Sequence, residues 1–265
     1  MQTYFFPFAG QLLKGRILSR YKRFLADIEL ENGQKVVAHV ANSGSMATCW
    51  QPGAEVVLTW HGEGAPRKLK YSLQAVNMPD GWVGVNTMNP NRAVAEAMCA
   101  GAIEFSNAYR FLQTEVRVAS GSRFDLVLLN NEKPQAELPG LRPARWRSLE
   151  GCIEKKHAPE EPAIVEIKNA TMLRQDGVIF PDAVTLRGQK HLRHLIELKN
   201  AGFRSILVFF AGRSSANWVG IAEQIDSEYA KMLKKAIDSG VEVKAIRVEV
   251  SAHGLRLTGE LPVCF

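Results

Sequence analysis

Residues 164–173 read IVEIKNATML. Ile164, Val165 and Ile167 make an apolar run with the length and composition of a buried strand. Glu166 and Lys168 interrupt it, two positions apart. In a strand such residues face the same side and lie about 7 Å apart, so a carboxylate and an ammonium emerge next to each other. Burying either one alone is costly. The pair is therefore either the solvated face of an edge strand or a site.

The flanking segments bear on that choice. Upstream, RFDLVLL (123–129) is a second apolar strand interrupted once, by Asp125. If the two strands pair, Asp125 sits beside Glu166, and close carboxylates raise one another's pKa unless a cation lies between them. Mg2+ takes oxygen ligands and keeps several waters, so one or two carboxylates suffice; Mn2+ is the alternative ion. Asp125 and Glu166 are the candidate metal ligands. Lys168 is the candidate group for holding a water nucleophile or neutralising charge on a phosphate. Glu96, in the helical segment NRAVAEAM, is a candidate to support the metal through water. Downstream, TLRGQKHLRHL offers Gln189, Lys190 and Arg193 as a polar, basic helix face. His191 and His194 read as surface or nucleic-acid-facing residues, and Asp182 as a helix cap.

A helix carrying Glu, a strand carrying Asp, a Glu-x-Lys strand and then a basic helix resemble, in that order, the PD-(D/E)XK phosphodiesterase core of restriction endonucleases and Holliday-junction resolvases. The surrounding pattern fits an α/β domain with a mixed sheet. Asn89-Pro90 opens a helix, RSILVFFAG (204–212) reads as a strand buried on both faces, and DSEYAKMLKKAIDSG is a helix capped by Asp226 and ended by Gly240. Residues 130–162 are polar, Pro-rich and charged, and read as a long surface excursion, partly helical around 145–152.

Residues 1–81 read differently. GRILSRYKRFLADIEL, the turn ENGQ, KVVAHV, PGAEVVLTW and KLKYSLQAV are short strands with Gly and Pro punctuation, the mark of a small barrel. MPDGW (78–82) is the expected boundary, with the second domain spanning 82–265. RYKRF and RKLKY interleave basic and aromatic residues, as OB-type barrels do along a strand-binding face. Arg20, Lys22, Arg23, Lys68 and Lys70 are the candidate DNA contacts there, with Arg20 and Lys22 on one face of a continuous strand and Tyr21 and Arg23 on the other.

Composition sets wider bounds. The 265 residues carry a net charge of +6, which permits a polyanionic partner without requiring one. The four cysteines form no CxxC pair, which argues against structural zinc and a disulfide framework. No segment approaches the roughly 20 apolar residues of a membrane span. The expected setting is a soluble protein of a reducing, bacterial-type cytoplasm.

RYKRFLADIEL, ANSGSM, RKLKY, VNT followed by NR, RFD, VEIKNATM, FPDAVTLRGQKHLRHL and the terminal LPV together resemble the sugar fermentation stimulation (SfsA) protein family over nearly the whole chain. The resemblance implies an N-terminal OB-fold-like barrel joined to a PD-(D/E)XK restriction-endonuclease-like domain. It also implies DNA binding largely without sequence preference, and a role in regulating sugar (maltose) metabolism genes. Two departures stand out: the usual Asn-Thr-Gly of one loop is Asn42-Ser43-Gly44, and the 130–162 excursion is long for the family. The expectation is a DNA-binding protein with a candidate Mg2+-dependent endonuclease site. A non-catalytic regulator and an RNA-directed protein stay open, and so, by analogy with resolvases, does a homodimer.

Overall fold

The computed structural model describes residues 1–119, 121–130, 138, 141, 145–149 and 161–265. The chain first forms β1 (Tyr4–Pro7), which pairs with a strand near the far end of the sequence. It then builds β2 (Gln11–Tyr21), β3 (Leu25–Leu30), β4 (Lys35–His39), β5 (Glu55–Trp60), β6 (Tyr71–Met78) and β7 (Gly81–Gly84). Their order is β4-β3-β2-β5-β6-β7, and β4 also pairs with β6, so β2 to β6 close into the five-stranded barrel of an OB-like fold. Ile17, Ile28, Val56, Leu58 and Leu73 fill its core with no exposure.

Three barrel expectations change. GRILSRYKRFLADIEL is not one strand but the hairpin β2–β3: Tyr21 pairs with Leu25, and Lys22, Arg23 and Phe24 form its loop. No Gly or Asn marks the turn, and Lys22 and Arg23 take φ of 48° and 62° without one. The face assignment within RYKRF therefore fails. Residues 67–70 precede β6 as a loop, so RKLKY is a strand only at Tyr71. The boundary at 81 cuts into β7, which pairs with β6, while β1 belongs to the other domain.

The second domain continues with α1 (Asn89–Cys99), β8 (Phe111–Arg117), β9 (Arg123–Leu129), β10 (Arg147–Ser148), β11 (Ala163–Ala170), β12 (Met172–Arg174), β13 (Gly177–Phe180), α2 (Leu186–Asn200), β14 (Arg204–Ala211), β15 (Val219–Ile221), α3 (Ser227–Asp238), β16 (Glu242–Val250), β17 (Gly254–Glu260) and β18 (Val263–Cys264). One sheet runs β1-β17-β16-β14-β11-β9-β8-β10, and a smaller one runs β12-β13-β15-β18. The centre of the large sheet, β11-β14-β16, is parallel and its outer pairs are antiparallel. This is the mixed sheet expected of a restriction-endonuclease-like domain. β14 is buried along nearly its whole length, as its unbroken apolar run demands. Most of the 130–162 excursion lies outside the described residues. Where it is described, Arg147–Ser148 pairs with β8 as a strand rather than continuing a helix. No helix among the described residues is long and apolar enough to cross a membrane.

The two domains meet through buried polar contacts. Arg213, 2% exposed, donates to both oxygens of Asp80 at 2.6 and 2.5 Å, to Thr48 O at 2.9 Å and to Thr171 O at 3.3 Å. Beneath the start of α1, Gln74 of the barrel accepts from Asn86 at 3.0 Å and Asn89 at 2.8 Å. These paired side chains fix where α1 begins relative to the barrel.

Candidate functional site

The β9–β11 ladder ends with the pair Val165 and Leu126. The next two residues, Glu166 and Asp125, face each other where pairing stops, so the expected neighbourhood of Asp125, Glu166 and Lys168 is present. In place of a ladder bond, Asp125 Oδ2 accepts the backbone N–H of Ile167 at 2.7 Å. Its Oδ1 accepts from Asn91 Nδ2 of α1 at 2.6 Å. Glu166 is 2% exposed; its Oε1 accepts from Lys168 Nζ at 2.5 Å and also contacts His191 Nδ1. Arg187 Nε donates to His191 Nε2 at 3.4 Å. Lys168 Nζ also lies 3.4 Å from His191 Nδ1, so Glu166, Lys168 and His191 form one buried cluster.

The two carboxyls are shifted in opposite directions. Burial first, and the charge of Glu166 second, push Asp125 up to about 7. Burial also opposes ionisation of Glu166, yet Lys168 and His191 together hold its carboxyl below the ordinary range. Glu166 Oε2 is buried and has no hydrogen-bond partner among the described residues. No group of three or more His, Cys, Asp or Glu side chains forms a metal cage among those residues. The donors fit a hard divalent ion held by two carboxylates and completed by waters and substrate oxygens. A cation there would supply a partner to the orphan oxygen and relieve the repulsion that raises Asp125.

These groups line a cavity of about 630 Å3 between the domains. One wall is barrel: Arg23, Asn42, Ser43 and Gly44. The other is the Phe180–Thr185 turn with Arg187 and His191. Asp182 joins the walls, accepting from Met46 N at 3.2 Å and Ser45 Oγ at 3.5 Å. A Cβ on Gly44 meets Asp182 Oδ2 at 2.2 Å, so this close approach requires glycine. Asp182 is thus a domain contact on the cavity wall. The cap of α2 is Thr185, which accepts from Gly188 N at 3.0 Å.

Comparison with known proteins decides the lineage. A family model described as the sugar fermentation stimulation protein RE domain matches residues 148–254, and one described as the SfsA N-terminal OB domain matches residues 18–85. The sugar fermentation stimulation protein homolog of Geobacter sulfurreducens is 39% identical, covering 95% of this chain and 96% of that protein. The homolog from Rhodospirillum rubrum is 38% identical, covering 97% and 98%. The chain belongs to the SfsA family. A solved structure described as Pyrococcus furiosus SfsA in complex with Ca2+ superposes with a TM-score of 0.78 at 21% identity, covering 97% of each chain. At that identity the likeness is one of fold.

In this SfsA-family chain the remaining candidates divide. Glu96 does not line the cavity; Tyr4 OH donates to it at 3.4 Å, and Asn91 of the same helix reaches Asp125 instead. Arg20 is not free for DNA. Its guanidinium donates to the carbonyls of Arg23, Asn42, Gly44 and Ser45, which shapes the loop around Asp182. Gln189 is buried, and donates to Asp226 at 2.9 Å, the N-cap of α3. Lys70 closes its own loop on Glu63 O at 2.6 Å, and neither it nor Lys68 lines the cavity. Lys22, Arg23, Lys68, Lys190 and Arg193 are exposed. The histidines are not on the surface. His191 is buried on Glu166, and His194 is buried against Ser122 Oγ. Sequence reasoning missed Asn91, Arg187 and the role of His191. Helix phase carried a signal for the last: Arg187, Lys190, Arg193 and Glu197 mark the exposed stripe of α2, which turns His191 inward.

Proposed function

We propose that this protein binds DNA largely without sequence preference and hydrolyses its phosphodiester bonds with Mg2+, or with Mn2+ in its place. The observation that carries this reading is Asp125 and Glu166 facing each other at the end of the β9–β11 ladder, with Lys168 beside them. Asp125 and Glu166 would hold the ion. When bound, the ion supplies charge neutralisation for a phosphodiester oxygen and polarises water. Lys168 holds a positive charge and three N–H donors where the scissile phosphate gains charge. His191, oriented by Arg187, fixes Glu166, while Asn91 fixes Asp125. Arg23 and Arg187 on opposite walls neutralise flanking phosphates.

One observation favours a second reading, a DNA-binding regulator without turnover. Lys168 and His191 already satisfy one oxygen of Glu166 without a cation. The link to sugar metabolism genes rests on the family alone. Cleavage of single-stranded, duplex and branched DNA in Mg2+ and in chelator separates the readings. Metal-dependent cutting that falls by about 100-fold or more in Lys168→Ala and Asp125→Ala supports hydrolysis. Salt-dependent binding without cutting, retained by both variants, supports the regulator.

A further inference from the structure

The large exposed hydrophobic side chains are unevenly placed. Among the described residues they are Phe5, Tyr21, Phe24, Val37, Met88, Val184, Leu186 and Phe265. Four of these either line the cavity or adjoin in sequence a residue that does: Val184 lines it, Phe24 follows Arg23, Met88 follows Thr87 and Leu186 follows Thr185. Leu186 is 73% exposed and Val184 66% exposed at the start of α2, facing no partner of the core. Scattered single hydrophobics need no explanation, but a collection around one opening does. The same rim carries Arg23 on the barrel side and Arg187 on the helix side.

The hairpin tip is also built at a cost. Lys22 and Arg23 occupy left-handed backbone that glycine or asparagine adopts more readily. Tyr21 is held by its hydroxyl, which donates to Asp27 at 3.0 Å, so its ring is pre-positioned rather than loose. Arg23 with the exposed Phe24 beside it forms one bank, and Arg187 with the exposed Val184 and Leu186 forms the other.

That mixture suits a strand whose bases are unstacked. A duplex buries its base faces inside a stiff rod and offers a protein mainly phosphates and groove edges. A single strand offers phosphates to arginines and base faces to aromatic and apolar side chains. The cavity, of about 630 Å3, is the size of a small-ligand site and has room for an unpaired nucleotide. We infer that the substrate class of this site is unpaired DNA, threaded between the β2–β3 hairpin tip and the first turn of α2. Bases pack on Phe24 on one bank and on Leu186 and Val184 on the other. This rests on the DNA-binding part of the proposed function and not on turnover.

The test is fluorescence anisotropy in chelator with a labelled single-stranded 20-mer and the duplex of the same sequence, using wild type, Phe24→Ala, Leu186→Ala and Phe24→Tyr. These positions are exposed, and unchanged melting temperatures establish that the variants are folded. The expected result is tighter binding of the single strand than of the duplex. Phe24→Ala and Leu186→Ala each weaken the single strand by about tenfold, the scale of a lost base contact. Phe24→Tyr restores it, and duplex affinity does not move. Equal affinity for the two forms, equal losses on both, or tighter binding of a matched single-stranded RNA overturns the inference. Because no cutting is measured, a protein that prefers the single strand and never cleaves overturns only the hydrolysis.

Discussion

Asp125 accepts the backbone N–H of Ile167 at 2.7 Å, just beyond the last paired residues of β9 and β11. A side chain completes the hydrogen bonding of β11 where the neighbouring strand leaves it, and the ladder thereby opens a space beside Glu166. The carboxylate that does this is half-buried next to another carboxylate, and its pKa is raised accordingly.

The first prediction follows from that shift. Asp125 moves from an ordinary 3.8 up to about 7 in the metal-free fold, through burial and then through Glu166. Between those values the folded state binds a proton that the unfolded chain has lost, so stability falls as pH rises through that window. The stability difference between wild type and Asp125→Asn, measured by denaturant unfolding in chelator, should fall toward about 1.4 kcal/mol per pH unit from roughly pH 4 to 7. The amide's mismatch with two N–H donors adds a constant but no slope. Mg2+ should recover the wild-type deficit at pH 8. Parallel pH profiles for the two proteins would remove Asp125 from this role.

Gly44 and Asp182 supply a second prediction. Gly44→Ala places a Cβ 2.2 Å from Asp182 Oδ2, and either the barrel loop or the turn before α2 must move. A loss of about 1–3 kcal/mol is expected, together with weaker DNA binding because the cavity walls separate. Asp182→Ala in the same chain should recover much of the stability. A double-mutant cycle that comes out additive would show that the two residues do not collide.

Arg213 is the third case. Its removal takes a donor from the Thr48 carbonyl, leaves the Thr171 carbonyl only the Cys49 thiol, and strips Asp80 of the guanidinium whose hydrogen bonds hold its carboxyl below the ordinary range. Arg213→Ala should cost about 3 kcal/mol in urea unfolding. Arg213→Lys should recover little, since one ammonium cannot reproduce a planar fork that reaches two carboxylate oxygens and two carbonyls. A lysine variant as stable as wild type contradicts this account.

Ionic-strength dependence tests the two arginines on the rim. If Arg23 and Arg187 each neutralise a phosphate of a single strand, each alanine variant should lower the slope of log K against log salt by about 0.7. Arg20→Ala should act otherwise, lowering stability through the carbonyls it holds. An unchanged slope for Arg187→Ala would place the strand elsewhere.

Much of the site was legible because strand periodicity is strict. Glu166 and Lys168 share a face by parity, and single charged residues inside apolar runs identify two strands that meet. The helical residues were harder. Glu96 and Asn91 lie on the same helix, and only the docking of α1 on the barrel, through Gln74 and Asn89, decides which one reaches Asp125. His191 was read from its basic neighbours rather than from its phase among Leu192, Leu195 and the exposed charges. The β2–β3 turn was missed because its residues are not turn formers. Arg20 looks like a nucleic-acid contact in composition, and only the path of the 42–45 backbone shows that its donors are already committed.

The position of β1 has a consequence for biosynthesis. Tyr4–Pro7 pairs with β17, Gly254–Glu260, on the far side of the chain from the barrel it precedes. The barrel is therefore an insertion tethered at both ends rather than an appended module. On a ribosome its strands can close early, since their partners are close in sequence. The first strand, with Phe6 destined for the core of the large sheet, must wait until β17 emerges. Until then an apolar segment is unprotected, and a cut at the apparent domain boundary would strip β17 of its partner and leave an open sheet edge.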